Sequence, residues 1–398
     1  MSQQRRVPLW AKALIATVAL LTVIFYVGGG FVFANMIHAD ALTPEPPTPD
    51  NGVWVRELEG NEIVITSAED RDDTTRPGLY GLAWPGGYGQ IGEIVATDGL
   101  DVTRAFYMLE GNPPPVCSGE LDSCEQVDIE GWAYPGDPSS PGLEFSEVDF
   151  DSPLGLMGAW LVEGGDGELW AIHVHGWRAS RREALRSLTA YHGLGITSLV
   201  IDYRNDTDAP ADPSGLYRFG QTEWEDVEAA VDYAVNSGAE RVVLVGYSTG
   251  AALDLAYLEN SDRSSPVVGL VFDSPNVDMG STVRHEAAKR SIPGTPIPVP
   301  GSLTSAAMLI ADLRWDVDWA DIDYASRSGE IIDIPTLVFH GVEDDRVPIE
   351  VSRRLAEGAS DHVTLIEVEE AGHVTSWNVD GGSYEEALLE FLTQTLEA

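Results

Sequence analysis

The sequence predicts an α/β fold: a mostly parallel sheet covered by helices on both faces, preceded by a small β-rich module and an N-terminal apolar helix. Three observations carry this. From Leu143 onward, short continuous apolar runs alternate with stretches of helical period, the pattern of parallel strands buried on both faces. One run, Arg241-Val-Val-Leu-Val, ends abruptly in Gly246-Tyr-Ser248-Thr-Gly250 and leads straight into a helix-compatible segment. Near the start, an apolar run from Ala13 to Ala34 follows Arg5, Arg6 and Lys12.

That N-terminal run is interrupted only by Thr17, Thr22 and Gly28-Gly29-Gly30, and about 20 apolar residues suffice to cross a bilayer. The basic residues ahead of it favour a cytoplasmic N-terminus, with the remainder outside. We therefore read 1–12 as a basic cytoplasmic segment and 13–34 as an uncleaved transmembrane anchor. A cleaved signal peptide ending at Ala39-Asp40-Ala41 is the alternative, giving a secreted product. Residues 35–52 read as a Pro-rich linker, the run Thr43-Pro-Glu-Pro-Pro-Thr-Pro being unable to form a core.

Residues 53–142 read as the β-rich module. Val53-Trp-Val-Arg, Glu62-Ile-Val-Ile-Thr, Gly92-Glu-Ile-Val-Ala and Ala105-Phe-Tyr-Met are strand-like and separated by turn residues such as Pro85-Gly-Gly-Tyr-Gly. The only two cysteines, Cys117 and Cys124, lie here. On an exported chain their closeness predicts a loop-closing disulfide.

Beyond Leu143, strands are expected at Leu169–His175, Thr197–Asp202, Arg241–Gly246, Val267–Asp273, Pro335–His340 and Val363–Val368. Helices are expected at Ala179–His192, Thr222–Ser237, Ile349–Glu357 and Tyr384–Leu396. A net charge of -42, from 65 acidic and 23 basic residues, argues against a nucleic-acid partner, since phosphate binding needs a basic face. We take the acidity as a solubility feature, a high-salt habitat being the other reading.

The chemistry gathers at strand ends. Gly-x-Ser-x-Gly between a buried strand and a helix is the context of a nucleophile elbow, with Ser248 exposed at the turn. An activated serine needs a base, an orienting acid and donors for an oxyanion. The base candidate is His373, in Glu370-Ala-Gly-His373. The acid candidate lies in His340-Gly-Val-Glu-Asp344-Asp-Arg-Val-Pro348, where Glu343, Asp344 and Asp345 adjoin, and Asp273 is an alternative on another strand. The oxyanion candidates are the backbone N–H groups of Trp177, in His175-Gly176-Trp177, and Thr249. All lie at the C-terminal edge of a parallel sheet, where ligands bind in such folds. A metal site on His173 and His175 lacks further ligands on the same loops, and no cofactor motif is present.

These segments, with Asp202-Tyr203-Arg204, resemble the α/β-hydrolase fold of serine hydrolases, and within it the bacterial esterase, lipase and serine-aminopeptidase-like branch. The resemblance spans 143–398. It implies Ser248 as nucleophile, His373 as base, Asp344 as acid and a cap inserted at about 274–330. One departure is that Asp202-Tyr-Arg-Asn-Asp lacks the Gly-x-Ser often found after this strand. The function so implied is hydrolysis of small-molecule carboxylic esters through an acyl-enzyme, by a membrane-anchored extracytoplasmic enzyme. The same triad would serve an acyltransferase or a peptidase. A non-catalytic envelope interaction protein on this fold is the reading from another class.

Overall fold

Alternation of β-branched and aromatic residues with solvent-facing polar ones builds the first sheet. A computed structural model describes residues 8–44, 52–68, 72–165 and 167–397. Arg5, Arg6 and the Pro-rich part of the expected linker lie outside the described residues. Six antiparallel strands, β1 (Val53–Glu59), β2 (Glu62–Ser67), β3 (Tyr80–Trp84), β4 (Gly87–Asp98), β5 (Asp101–Gly111) and β6 (Asp128–Glu130), pair in the order β1-β2-β5-β4-β3-β6. Their inward residues, among them Val53, Ile63, Ile65, Leu82 and Ile91, form a small core of their own. Cys117 and Cys124 are joined by a disulfide within the β5–β6 connection, and Cys117 N donates to Val55 O, which ties that connection to β1.

The second sheet has eight strands: β7 (Ser146–Ser152), β8 (Gly155–Val162), β9 (Leu169–Val174), β10 (Thr197–Ile201), β11 (Arg241–Tyr247), β12 (Val267–Asp273), β13 (Thr336–Gly341) and β14 (Val363–Val368). Their order is β14-β13-β12-β11-β9-β10-β8-β7. The last six strands in sequence run parallel, while β7 and β8 form an antiparallel hairpin on one edge. Two apolar clusters fill the two faces, one including Ile172, Leu199 and Leu244, the other Ala171, Val200 and Val243. Consecutive residues of one strand thus enter opposite cores, which is why these strands read as unbroken apolar runs. Register aligns Gly246 with Val174, Tyr247 with Asp273, and Asp273 with Phe339. The C-terminal ends of β9, β11, β12 and β13 therefore meet along one edge.

Three expectations need correction. The Ala179–His192 helix is split into a 3₁₀ turn, Arg181–Arg186, and a short helix, Leu188–Gly193. The β7–β8 hairpin had no counterpart among the expected strands. The apolar N-terminal helix does not stop at Ala34: it runs unbroken over Leu9–Leu42, through the first part of the expected linker, with mean hydropathy 2.2 over its most apolar window. Its early turns are exposed, whereas Gly30, Phe33, Ala34, Ala41 and Leu42 are buried against the second sheet's unit.

Between β12 and β13 the chain leaves the sheet and forms helices Met279–Ala288 and Gly301–Trp315 over its C-terminal edge.

The short disulfide loop predicts a modest stabilisation. Replacing both Cys117 and Cys124 by Ser should cost about 2 kcal/mol by loop-closure entropy. Thermal melts of the two forms without reductant measure this, and equal midpoints would rule it out.

Candidate active site

β11 delivers Ser248 into a sharp turn, and the glycines on either side are dictated by space. A Cβ on Gly246 would lie 2.5 Å from Ala251 backbone, and one on Gly250 2.0 Å from Val174 O. Ser248 itself takes φ 49°, ψ −115°, a conformation that L-residues rarely adopt. The turn is pinned from both sides: Ser248 N donates to Asp273 O, and Ser248 O accepts from Asn276 N. The helix Thr249–Asn260 starts immediately after it.

His373 Nε2 lies 2.9 Å from Ser248 Oγ, and His373 Nδ1 lies 2.8 Å from Asp344 Oδ2. The other carboxylate oxygen, Asp344 Oδ1, accepts from the backbone N–H groups of Arg346 and Val347, each at 2.9 Å. Burial pushes the Asp344 carboxyl up, but the charge and the side-chain hydrogen bonds of His373 and His340 hold it well below the usual carboxylate range. Of the three adjoining acids it is Asp344 that meets His373. Asp273 turns elsewhere: its Oδ1 accepts from Ser376 Oγ at 3.3 Å, and burial raises its pKa to about 6, with Arg186 opposing.

Several residues support this relay, of which Arg186 and Asn378 were not singled out from sequence. His340, fully buried, bonds Ser352 Oγ at 2.7 Å, and its Nε2 lies 3.3 Å from Asp344 Oδ2. Arg186 donates to Val374 O and Asn378 Oδ1 at 2.6 and 2.7 Å, and Ser274 Oγ accepts from Val374 N at 2.9 Å. Together they hold the loop just past His373, where Val374 takes φ 50°. The strand-end positions of Ser274 and His340 were visible in sequence, but Arg186 carried no local signal.

Gly176 sits directly on Ser248: a Cβ on Gly176 would come within 3.0 Å of Ser248 Cβ. Gly176 N donates to the buried Glu183 Oε2 at 2.7 Å, which fixes this turn. Thr249 opens a helix, where a backbone N–H has no intrahelical acceptor. Trp177, Thr249 and Ser248 share one cavity of about 800 Å³.

The walls of that cavity are unlike one another. Phe33, Met36, Ile37 and Ala41 of the N-terminal helix, with Met279 and Ala307 of the cap, make one mainly apolar side, to which Asp40 and Arg290 also contribute. The β-rich module supplies Asp73, Arg76, Tyr80 and Trp132 to another. Buried Arg104 donates to the carbonyls of Gly92, Arg76 and Gly78, and so sets the segment that carries Arg76. Asn378, five residues past His373, donates to Leu79 O and Gly131 O, docking the module on the His373 loop.

His175, Asp202 and Asp206 bring three possible ligand atoms within 4.8 Å of one another, a grouping absent from the sequence reading. Each is already engaged: Asp202 by Arg181 at 3.1 Å, and Asp206 by His175 at 2.9 Å and by the N–H of Tyr203 at 2.8 Å. This is an ion-pair network beneath the Gly176 turn. His175 Nδ1 lies 2.9 Å from Gly176 O, so both ring nitrogens face acceptors.

The alpha/beta hydrolase family matches residues 171–387, and a domain of unknown function matches 55–115. Two proteins of Mycobacterium tuberculosis, from strains CDC 1551 / Oshkosh and ATCC 25618 / H37Rv and both described as uncharacterized, are each 28% identical over 300 residues. That alignment covers 73% of this chain and 87% of theirs. The esterase Pf2001 of Pyrococcus furiosus has a similar fold, with TM-score 0.51 and 18% identity, covering 65% of this chain and 96% of that one.

The His175 network predicts a pH dependence. Burial alone would lower its pKa, but the Asp206 carboxylate and the hydrogen bonds outweigh this and raise it to about 9. A raised folded-state pKa contributes stability that is fully present below the unfolded value of about 6.5 and lost as pH rises through about 9. The gap in melting temperature between the natural protein and His175→Gln should therefore narrow between pH 6.5 and 9.5. A gap that is constant or widens over this range contradicts the assignment.

Proposed function

Because the chain belongs to the alpha/beta hydrolase family, we propose that it is a serine hydrolase of carboxylic esters, anchored by its N-terminal helix with its catalytic part outside the cytoplasm. The observation that carries this reading is the relay Ser248–His373–Asp344, at 2.9 and 2.8 Å, on a strained elbow at the rim of a cavity.

In this reaction His373 Nε2 takes the Ser248 proton as Oγ attacks the ester carbonyl carbon. Asp344, ionised and fixed by two backbone N–H donors, accepts from Nδ1–H and stabilises the imidazolium that forms. The backbone N–H groups of Trp177 and Thr249 receive the oxyanion. Collapse of the tetrahedral species breaks the C–O bond, and His373 gives its proton to the leaving alcohol. Water then enters, loses a proton to His373 and attacks the acyl-enzyme. The acid departs as Ser248 regains its proton.

Anchoring rests on the 34-residue apolar helix Leu9–Leu42 and on the basic residues before it. The disulfide Cys117–Cys124 fits an oxidising compartment for the rest of the chain. We read 143–398 as the catalytic unit, its cap at about 274–330, and 53–142 as a module that completes the cavity wall.

A fluorophosphonate probe should label the natural protein and not Ser248→Ala. Asp344→Asn should retain the fold and lower kcat on p-nitrophenyl esters by about 10³–10⁴-fold. Asp273→Asn should cost far less. If Asp273→Asn proves the crippling change and Asp344→Asn does not, the acid is misassigned.

A further inference from the structure

The N-terminal helix and the cap are packed together as a unit. They run side by side in the same direction: Tyr26 Oη lies 3.0 Å from Ser302 Oγ, a Cβ on Gly30 would touch Ile310 at 2.9 Å, Asn35 accepts from Arg314 at 2.7 Å, and His38 stacks on Trp315. Phe33 and Ala34 share one apolar cluster with Val299, Leu303, Ala307 and Ala311 of the cap. The glycines at 29 and 30 leave room for this approach, as small residues do between membrane helices.

This contact sets a depth. The N-terminal helix is free of charge from Ala13 to Ala39. Tyr26 stands 13 residues beyond Ala13, about 20 Å along the axis at 1.5 Å per residue. A bilayer's hydrocarbon is about 30 Å thick. With Lys12 at the cytoplasmic face, the Tyr26–Ser302 contact falls inside the opposite leaflet. The start of the cap helix and the loop before it are therefore submerged.

Their composition matches that position. Ser291 to Ala311 contains no Asp, Glu, Lys or Arg, the longest such run outside the N-terminal helix in a chain where 22% of residues are charged. From Gly301 to Ala311 the cap helix is uncharged on every side: it buries Leu303, Ala307, Met308 and Ala311 and still exposes Leu309, 58% accessible. Ile297 at the loop tip is 55% exposed. A helix hydrophobic on every side belongs in a core or a membrane. Here the outward side continues the exposed face of the N-terminal helix, where Val27, Phe31 and Val32 also lie open. Arg290, paired with Asp40, and Arg314 flank the run at headgroup height.

We propose that the cap limb Ser291–Ala311 is embedded in the outer leaflet, and that the site takes amphiphilic acyl esters drawn sideways from that leaflet rather than from water. This rests on the reading of the chain as an anchored serine ester hydrolase. The same two elements that reach into the bilayer, through Phe33, Met36, Ile37 and Ala307, form the apolar wall of the Ser248 cavity. An acyl chain leaving lipid along these two elements therefore meets Phe33, Met36, Ile37 and Ala307 on its way to Ser248. The polar alcohol portion then faces the Arg76 and Asp73 side.

The test uses the full chain in phosphatidylcholine liposomes. The double substitution Ile297→Asp with Leu309→Asp changes two exposed residues of the limb, neither of which lines the cavity. It should lower kcat/KM on liposome-borne p-nitrophenyl palmitate by about tenfold or more, since charge in hydrocarbon is costly. Turnover of dissolved p-nitrophenyl acetate and fluorophosphonate labelling should be unchanged. The chain has no free cysteine among the described residues, so an environment-sensitive fluorophore on Ile297→Cys or Leu309→Cys reports depth directly. It should be shifted to the blue and quenched by doxyl-labelled lipid. A water-exposed, unquenched fluorophore, or equal rates for the double variant and the natural protein on both esters, overturns leaflet access. Absence of probe labelling in the natural protein overturns the hydrolase reading instead, while the fluorophore result still decides whether the cap is embedded.

Discussion

The geometry of the site depends on one crowded contact, the packing of the Thr249–Asn260 helix onto β9 and β11. Only glycine fits at 246 and 250, because Ala251 backbone and Val174 O leave no space for a Cβ. That closeness forces the chain to reverse in a single residue and puts Ser248 at positive φ, a strain of about 1–3 kcal/mol. The strain is held by the sheet on one side and the helix on the other, so it cannot relax without unpacking the core. A serine on a relaxed turn would have rotational freedom to lose before reaching His373.

The remaining parts of the site are loops, and each is fixed by a buried polar group rather than by apolar packing. Glu183 holds Gly176 N, Arg186 holds Val374 O, and two backbone N–H groups hold Asp344. Buried polar groups are costly when unpaired, so such loops have few alternative arrangements. Ser248, Ser274 and Val374 all take φ near 50°. Strain thus gathers where the relay is assembled, and the polar anchors around it resist its release.

How much of this was legible follows from what kind of signal each part carries. Parallel strands buried on both faces read as apolar runs, so β9 to β14 stood out, as did Gly246-Tyr-Ser248-Thr-Gly250 and the strand-end Asp344 and His373. The β7–β8 hairpin did not, because Ser146-Glu-Val-Asp-Phe-Asp-Ser is a half-exposed edge with a single buried residue, Phe150. The end of the N-terminal helix was misjudged because Asn35, His38 and Asp40 look like the start of a linker; each is satisfied by a tertiary partner, Arg314, Trp315 and Arg290. The β-rich module's share in the cavity was invisible for a similar reason. Asp73, Arg76, Tyr80 and Trp132 follow no local pattern, and only the docking of Asn378 on Leu79 and Gly131 brings them to the site.

Charge distribution ties the module, the cap and the N-terminal helix into one argument. A chain carrying -42 is repelled by a negatively charged lipid surface. It can be held close to such a surface only through neutral parts, and the two longest uncharged runs, Ala13–Ala39 and Ser291–Ala311, are the two that pack against each other. Acidic repulsion then orients the remainder away from the bilayer, leaving the uncharged pair as the preferred contact. The cavity lies between that pair and the β-rich module. The polarity of its two walls therefore follows from where each wall stands relative to the lipid, and an amphiphilic ester is the ligand shape that satisfies both.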